Sequence, residues 1–400
     1  MTNVGKMTEW LVNPSHVKRY QEGYPLITKD AIASGLGTAS EGDIVHLVDG
    51  AHRFIAKAYY GKQNKGIGWV LTNNQQTRLD AAFFQATIQK AINNRSSFYQ
   101  SNHTNAFRVF NGEGDGIGGL TIDYFAGYYL INWYSIGVYT YKTYIIQALE
   151  TLVDFHAIYE KKRFQQKGAY MGDDDFVTGT RGEFPLIIKE NGMNYAVDLN
   201  DGAMCGIFLD QRNVRKVIRD TYANGKHVLN TFSYTGAFSV AASVGGAIQT
   251  TSVDLAKRSL PKTIEQFSVN GIDFEAQHIH VMDVFEYFKY ARRKKLSFDM
   301  VILDPPSFAR SKKYTFSVAK DYTKLVTEAL SVTAEKGVIV ASTNNATLSM
   351  KKFKGMLDKG FQETKIPYRI LEEYTLPEDF RVDKRFAQGN YLKVVIIQAK

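Results

Sequence analysis

The chain has 400 residues, 44% of them hydrophobic, more than a single core usually holds, so a protein of two or three domains is expected. Its formal charge of +9 points toward a polyanionic partner, nucleic acid first, although a basic surface also arises without one. One cysteine, Cys205, excludes an intrachain disulfide framework and a multi-cysteine zinc site, and points to a reducing, cytoplasmic location.

No apolar run reaches the ~18 residues of a membrane span, and the stretch from Met1 to Trp10 lacks the charged-then-apolar layout of a signal peptide, so no membrane partner is expected. There is neither a repeat of fixed period nor a low-complexity tract. No metal is expected.

Residues 1–74 carry short β-like runs at 43–47, 54–60 and 68–71 separated by glycine, which predicts a small, strongly bent β module. His16, Lys18, Arg19 and Lys29 make its start basic. Lys18 and Arg19 are candidate RNA contacts, and a solvated surface accounts for these charges equally well. Residues 75–188 read as a central α+β domain: a helix over 79–94, then strands at 107–110, 120–123 and 128–133 forming hairpins. The glycine run from Gly112 to Gly119 lies between strands and holds two acids, so it reads as a turn in preference to a phosphate cradle.

From residue 189 to 400 strands alternate with helices, the pattern of a Rossmann-like doubly wound α/β sheet. A strand ends at Asn230-Thr231, and Phe232-Ser233-Tyr234-Thr235-Gly236 turns into a helix of small residues. The next three strands end at Asp254, Asp283 and Asp304. A carboxylate after the second strand is placed to accept both ribose hydroxyls of a nucleoside cofactor. Asp283 is placed to accept from an adenine amino group, with Val284-Phe285 covering the ring. Any one such aspartate could instead be a helix N-cap. The first turn has a single glycine and three aromatics, Phe232, Tyr234 and Phe238, which leaves little open backbone for a pyrophosphate but walls a neutral adenosine and a sulfonium. S-adenosylmethionine therefore fits better than a dinucleotide, with S-adenosylhomocysteine as the product.

The chemistry-bearing segment is Asp304-Pro305-Pro306-Ser307-Phe308, at the edge on which open α/β sheets bind ligands. Two prolines fix φ and remove two donors, so the carbonyls and the Asp304 carboxylate face a flat donor as rigid acceptors. Asp304, Pro305, Pro306 and Phe308 are the candidate catalytic residues, the base being flipped and stacked near Phe308. Arg310, Lys312 and Lys313 follow on the exit loop and could meet phosphates. Asn344 and Asn345 could hold base edges or form a turn. Arg292-Arg293-Lys294-Lys295 could grip RNA or end a helix in solvent.

Three stretches carry a family resemblance. The pattern over 12–73 resembles the PUA domain, an RNA-binding module. Asn230 to Phe238, Val253-Asp254-Leu255-Ala256, Asp283-Val284-Phe285 and Asp304 to Phe308 resemble a class I methyltransferase. With the glycine run between them, nearly the whole chain resembles the PUA-containing 23S rRNA methyltransferases, which include a 5-methylcytosine enzyme. The resemblance implies that Phe208 and Arg212, within Gly206-Ile207-Phe208-Leu209-Asp210-Gln211-Arg212, border a cofactor pocket also lined by Asn230, Phe232, Tyr234, Gly236, Asp254, Asp283, Val284 and Asp304. It also implies RNA, in free 23S rRNA or an assembly intermediate, as the partner, and is compatible with a homodimer.

The cytosine enzymes of that family carry a nucleophilic cysteine after the strand that follows Asp-Pro-Pro; here that strand is Gly337-Val338-Ile339-Val340-Ala341-Ser342, and the Thr343-Asn344-Asn345 after it holds none. Cys205 lies on a different segment and reads as inert packing. Asp304 to Phe308 with Asn344-Asn345 look more like the guanine-N7 rRNA methyltransferase domain, in which a ring nitrogen attacks the sulfonium methyl directly. The remaining alternatives are a 5-methylcytosine enzyme, an RNA-binding or assembly protein that retains a cofactor pocket, and a nicotinamide oxidoreductase.

Overall fold

A computed structural model describes residues 8–63, 66–165, 174–310 and 315–400. The chain forms two compact units. One takes in the chain up to Leu186 with Asp198–Cys205 and Glu378–Gly389; the other comprises Ile187–Val197, Gly206–Pro377 and Asn390–Lys400. The return of Glu378–Gly389 to the first unit has no local signal in the sequence.

In the first unit a six-stranded sheet runs Leu26–Thr28, Gly66–Thr72, Phe54–Gln63, Ile44–Val48, Thr8–Val12, Ile32–Ser34 across its width. Alternation along the strands buries Trp10, Val45, Leu47, Ala56 and Ala58 with Tyr20 and Ile27. Register shifts fall at Leu47/Val48, Lys57/Ala58 and Tyr60/Gln63, the kind of irregularity that bends a strand. A five-stranded sheet follows, ordered Phe176–Gly179, Ala157–Lys162, Tyr128–Trp133, Leu120–Phe125, Ala106–Asn111. The helices Ala81–Asn93 and Lys142–Leu152 bury Phe84, Ile88, Ile145 and Leu149 with Phe107, Ile122 and Ile131 of this sheet.

The glycine run is a turn that packs. Asp115 accepts from both terminal guanidinium nitrogens of Arg95 at 2.6 and 2.7 Å, and Arg95 also donates to the Asp379 carbonyl at 2.6 Å. At Gly114 a Cβ would lie 1.9 Å from the Arg381 carbonyl oxygen, so this glycine is what admits the returning Glu378–Gly389 segment.

The second unit is built on a seven-stranded sheet. Its strands are β1 (His227–Thr231), β2 (Gln249–Asp254), β3 (His278–Val281), β4 (Phe298–Leu303), β5 (Thr333–Thr343), β6 (Tyr368–Tyr374) and β7 (Lys393–Ala399), in the order β3-β2-β1-β4-β5-β7-β6. Pairings are parallel except that β7 runs against both neighbours. Alternation along the strands serves two apolar faces. Leu229, Val301, Leu303 and Ile339 meet α3 (Val284–Arg293), α4 (Val318–Leu330) and α5 (Met350–Thr364) through Phe288, Leu325 and Phe353. Val228, Met300, Ile302 and Val340 meet Val214, Ile218 and, from α1 (Ala237–Val244), Phe238 and Ala242; α2 (Ser259–Ser268) follows β2. The strand order reverses between β1 and β4, and the carboxyl ends of strands at such a switch point are where open α/β sheets hold ligands. Among the described residues no helix is long and apolar enough to cross a membrane.

Candidate active site

The turn after β1 is held in an uncommon backbone conformation. Phe232, Tyr234 and Gly236 all have positive φ, 54°, 52° and 81°, which costs the two aromatic residues strain that glycine avoids. Its amides are largely spent: Ser233 N donates to the Val253 carbonyl, Tyr234 N to Asp254 Oδ2 and Gly236 N to the Ser233 carbonyl. A turn whose N–H groups are engaged this way offers no open fan for a pyrophosphate, in keeping with the single-glycine argument.

Asp254 fixes the turn from the end of β2, since Oδ2 takes the Tyr234 amide at 2.9 Å and Oδ1 the Ala256 amide at 2.8 Å. Each oxygen keeps a second lone pair for a hydroxyl. Asp283 caps α3, with Oδ1 accepting from Phe285 N and Glu286 N at 2.9 and 3.2 Å, so one of its oxygens has the N-cap role. Val284 is buried in the core behind it. Asn230 is fully buried and donates to Ser239 Oγ of α1 at 2.9 Å, which places it under the turn and not on an open wall. Phe238, expected to wall the turn, is instead buried among Val214, Ala242 and Met300, because the first turn of α1 directs its ring onto the sheet. Phe232 packs on Phe316 and Tyr234 on Phe208, with ring centroids 6.0 and 5.3 Å apart.

Asp304 stands at the end of β4 with its carboxyl turned inward. Ser342 donates to Oδ1, and Gln211 Nε2 donates to the same oxygen at 3.1 Å. Oδ2 accepts from none of the described residues. Burial pushes the Asp304 carboxyl up to about 6; the Ser342 hydrogen bond opposes the rise, the Asp210 charge adds to it, and Arg215 and Gln211 oppose it. Tyr322 of α4 clamps both strand ends, donating to the Ser342 carbonyl at 2.7 Å and the Leu303 carbonyl at 3.4 Å. Pro305 is buried, Pro306 exposed, and Phe308 is 62% exposed, an unusual position for a large ring and one open to stacking.

Sequence reasoning missed four residues here. Gln211 lay unassigned inside the segment that matched the family, and Ser342 was read only as strand. Glu190 and Arg215 form a buried pair, with Nε and one terminal nitrogen of Arg215 each 2.7 Å from the carboxylate. Arg215 also donates to the Phe208 carbonyl at 2.8 Å, so this pair fixes the loop that carries Phe208. Arg212 is buried at the start of the helix Arg212–Val217, and Phe208 is 40% exposed.

The expected RNA contacts divide. Lys18 is exposed and lies 3.8 Å from Glu22. Arg19 is committed locally, donating to Tyr20 Oη and Thr28 Oγ1 and stacking 4.8 Å above the Tyr20 and Tyr24 rings. Asn344 is exposed and its Oδ1 accepts from Ser307 Oγ at 2.7 Å. Asn345 forms a turn, Oδ1 accepting from the Thr347 amide and hydroxyl at 3.0 and 2.8 Å. The backbone of Arg310 belongs to the short strand Phe308–Arg310, while Lys312 and Lys313 lie outside the described residues. Arg292 pairs with Glu328 at the end of α3. Cys205 is half-buried in the first unit, in the Asp198–Cys205 segment.

Residues 115–380 match the family described as S-adenosylmethionine-dependent methyltransferase, and residues 11–73 match the PUA-like domain. The Bacillus subtilis (strain 168) protein YwbD, named provisionally as a ribosomal RNA large subunit methyltransferase, is 60% identical over 388 residues, 96% of this chain and 98% of that one. Ribosomal RNA large subunit methyltransferase I of Yersinia pestis bv. Antiqua (strain Angola) is 29% identical over 372 residues, 92% of this chain and 94% of its own. The solved structure of SMU.776, in complex with S-adenosylhomocysteine, superposes with a TM-score of 0.91 at 41% identity, covering 98% of this chain and 100% of that one.

Proposed function

The chain belongs to the S-adenosylmethionine-dependent methyltransferases that carry a PUA-like domain, and on that footing we propose that it methylates N7 of a guanine in 23S ribosomal RNA by direct transfer to a flipped-out base. One observation carries the chemistry: an inward-held acid, Asp304, stands two residues before the exposed Pro306 and four before the exposed Phe308 ring, while the adjacent strand end Ser342-Thr343-Asn344-Asn345 has no thiol.

The residues present fit the cofactor. The turn amides are largely spent, Asp254 keeps lone pairs for hydroxyls, and Gln211 Oε1, beside Asp304, has no hydrogen-bond partner among the described residues. Such a shell suits a neutral nucleoside and a cationic group over phosphates. Asp254 would hold the ribose, Asp283 and Val284 the adenine, and Phe208, Arg212, Phe232, Tyr234 and Gly236 the border between them. When bound, the cofactor supplies a methyl group on a positively charged sulfonium.

The remaining work falls to this chain's side chains. Asp304 Oδ2 and the Pro305 carbonyl accept from the base edge, and Phe308 stacks on its face. A purine N7 has an in-plane lone pair, so no enzyme nucleophile need add to the base; C5 of cytosine has none and would require a thiolate. Positioning and exclusion of water supply the rate. Lys18, Arg310, Lys312 and Lys313 are the proposed phosphate contacts.

Mass-spectrometric mapping of 23S rRNA from cells with and without the protein tests the reading. Loss of a single 7-methylguanine is expected. Loss of a 5-methylcytosine, or an unchanged rRNA, would overturn it.

A further inference from the structure

The carboxyl ends of β4 and β5 and the residues after them are stitched to one another twice. Leu303 pairs with Ala341 in the parallel register, so Asp304, just past the end of β4, lies beside Ser342, which is still in β5, and the Ser342 hydroxyl donates to Asp304 Oδ1. Further out, Ser307 Oγ donates to Asn344 Oδ1 at 2.7 Å. Each stitch consumes one atom of a two-headed side chain. Asp304 is tethered through Oδ1, which leaves the acceptor Oδ2; Asn344 is tethered through Oδ1, which leaves the donor Nδ2, and no described residue accepts from it. Asn344 is exposed, on a loop tied to the residue that precedes the exposed Phe308 ring.

We propose that Asn344 is the residue that distinguishes guanine from adenine at this site, its Nδ2–H donating to O6 of the flipped base while Asp304 Oδ2 accepts from N1–H. The assignment rests on the guanine reading above and names how that base is chosen. Guanine presents an acceptor and then a donor along O6 and N1–H, whereas adenine presents a donor and then an acceptor at the same two places. A donor held by Asn344 together with an acceptor held by Asp304 would complement the first and oppose the second at both atoms. Reading that edge also leaves N7 unobstructed, on the other side of O6. Ser307 is a positioning residue, since it acts only through the direction of the Asn344 amide.

The test uses an rRNA fragment that the full-length enzyme methylates, with guanosine or 6-thioguanosine at the target position. Sulfur is a poor hydrogen-bond acceptor, and the exchange keeps N1–H and N7 in place. The wild-type enzyme is expected to lose about 10-fold in kcat/KM on the thio substrate, the loss of one hydrogen bond. Asn344→Ala is expected to lose about 10-fold on guanosine and to treat the two substrates alike. Ser307→Ala should lose less and keep part of the sulfur effect. Unchanged S-adenosylhomocysteine affinity in both variants reports that the fold is intact. If 7-methylguanine forms but Asn344→Ala retains the full sulfur effect, or the wild type shows none, this assignment is wrong and the guanine reading stands. If the mapped product is a different base, both fall together.

Discussion

Gln211 Nε2 donates to Asp304 Oδ1 at 3.1 Å and to Ser342 Oγ at 3.3 Å, so the acid at the end of β4 is held by a side chain from the segment before β1. The consequence is directional. With Oδ1 shared between two donors, the carboxylate rotates little and presents Oδ2.

Replacing Gln211 by leucine keeps the bulk and removes the donor. A carboxylate that loses a hydrogen bond is harder to ionise, so the acid limb of the pH–rate profile should move to higher pH. The fall in kcat is expected to be about 10-fold, the worth of one misplaced positioning contact. Single-turnover methylation across pH 5–9 measures both. A variant whose pH midpoint stays put while S-adenosylhomocysteine binding weakens would place Gln211 in the cofactor site instead.

The Asp304 carboxyl, pushed up to about 6 mainly by burial, makes opposite demands on activity and stability. Accepting from a base donor requires the anion, so methylation should fall as pH drops through about 6. For stability the sign reverses. A folded pKa above the unfolded value means that this group's favourable contribution is complete below the unfolded pKa and is lost as pH rises through the folded one. At neutral pH the buried anion is therefore a cost. Asp304→Asn should abolish methylation yet raise stability by about 1–3 kcal/mol at pH 7.5, with the gain vanishing near pH 4. Urea unfolding at the two pH values decides it; a destabilised variant at pH 7.5 contradicts the burial argument.

Asp254 both ties the turn after β1 and offers lone pairs for a ribose. Asp254→Asn keeps one acceptor and should weaken S-adenosylhomocysteine binding about 10- to 100-fold, the range for hydrogen bonds to a charged group. Titration calorimetry reads the affinity directly. Retained affinity would remove Asp254 from the cofactor site.

Glu190 and Arg215 are both nearly inaccessible, with side-chain exposures of 0% and 2%. Glu190→Gln leaves a buried guanidinium without its counter-charge and should cost about 3–5 kcal/mol of unfolding free energy. Because Arg215 also holds the Phe208 carbonyl, cofactor affinity should fall in parallel. A loss below about 1 kcal/mol, measured by urea unfolding, would show that solvent reaches the pair.

Much of the site was legible because it is made of strand ends. Asp254, Asp283 and Asp304 each close a strand-like run in a series that alternates with helices, and the run before Asp304, Met300–Leu303, is apolar and buried and ends where the sheet ends. Tyr234 and Gly236 were legible as the turn between a strand and a helix of small residues. What could not be read was whatever depends on two distant segments meeting. Gln211 and Asp304 are 93 residues apart, and Glu190 and Arg215 lie on different elements with no period that links them. Arg19 shows the converse: a basic residue expected as an RNA contact donates to Tyr20 and Thr28 and stacks on the Tyr20 and Tyr24 rings. Charge in a sequence states how much there is, and only neighbours state whether it remains available.

By itself, the amino-acid sequence determined the doubly wound sheet, the bent β module, the class of cofactor and the rigid Asp304-Pro305-Pro306 edge. Those are local properties, set by residue periodicity, proline geometry and the number of glycines in one turn. The tertiary structure decided which atoms of that edge are presented. Hydrogen bonds from Ser342, Gln211 and Ser307 each engage one head of Asp304 or Asn344 and leave the other head for a base. That choice depends on strands β4 and β5 lying side by side, a pairing that forms only when chain segments far apart in sequence share one sheet.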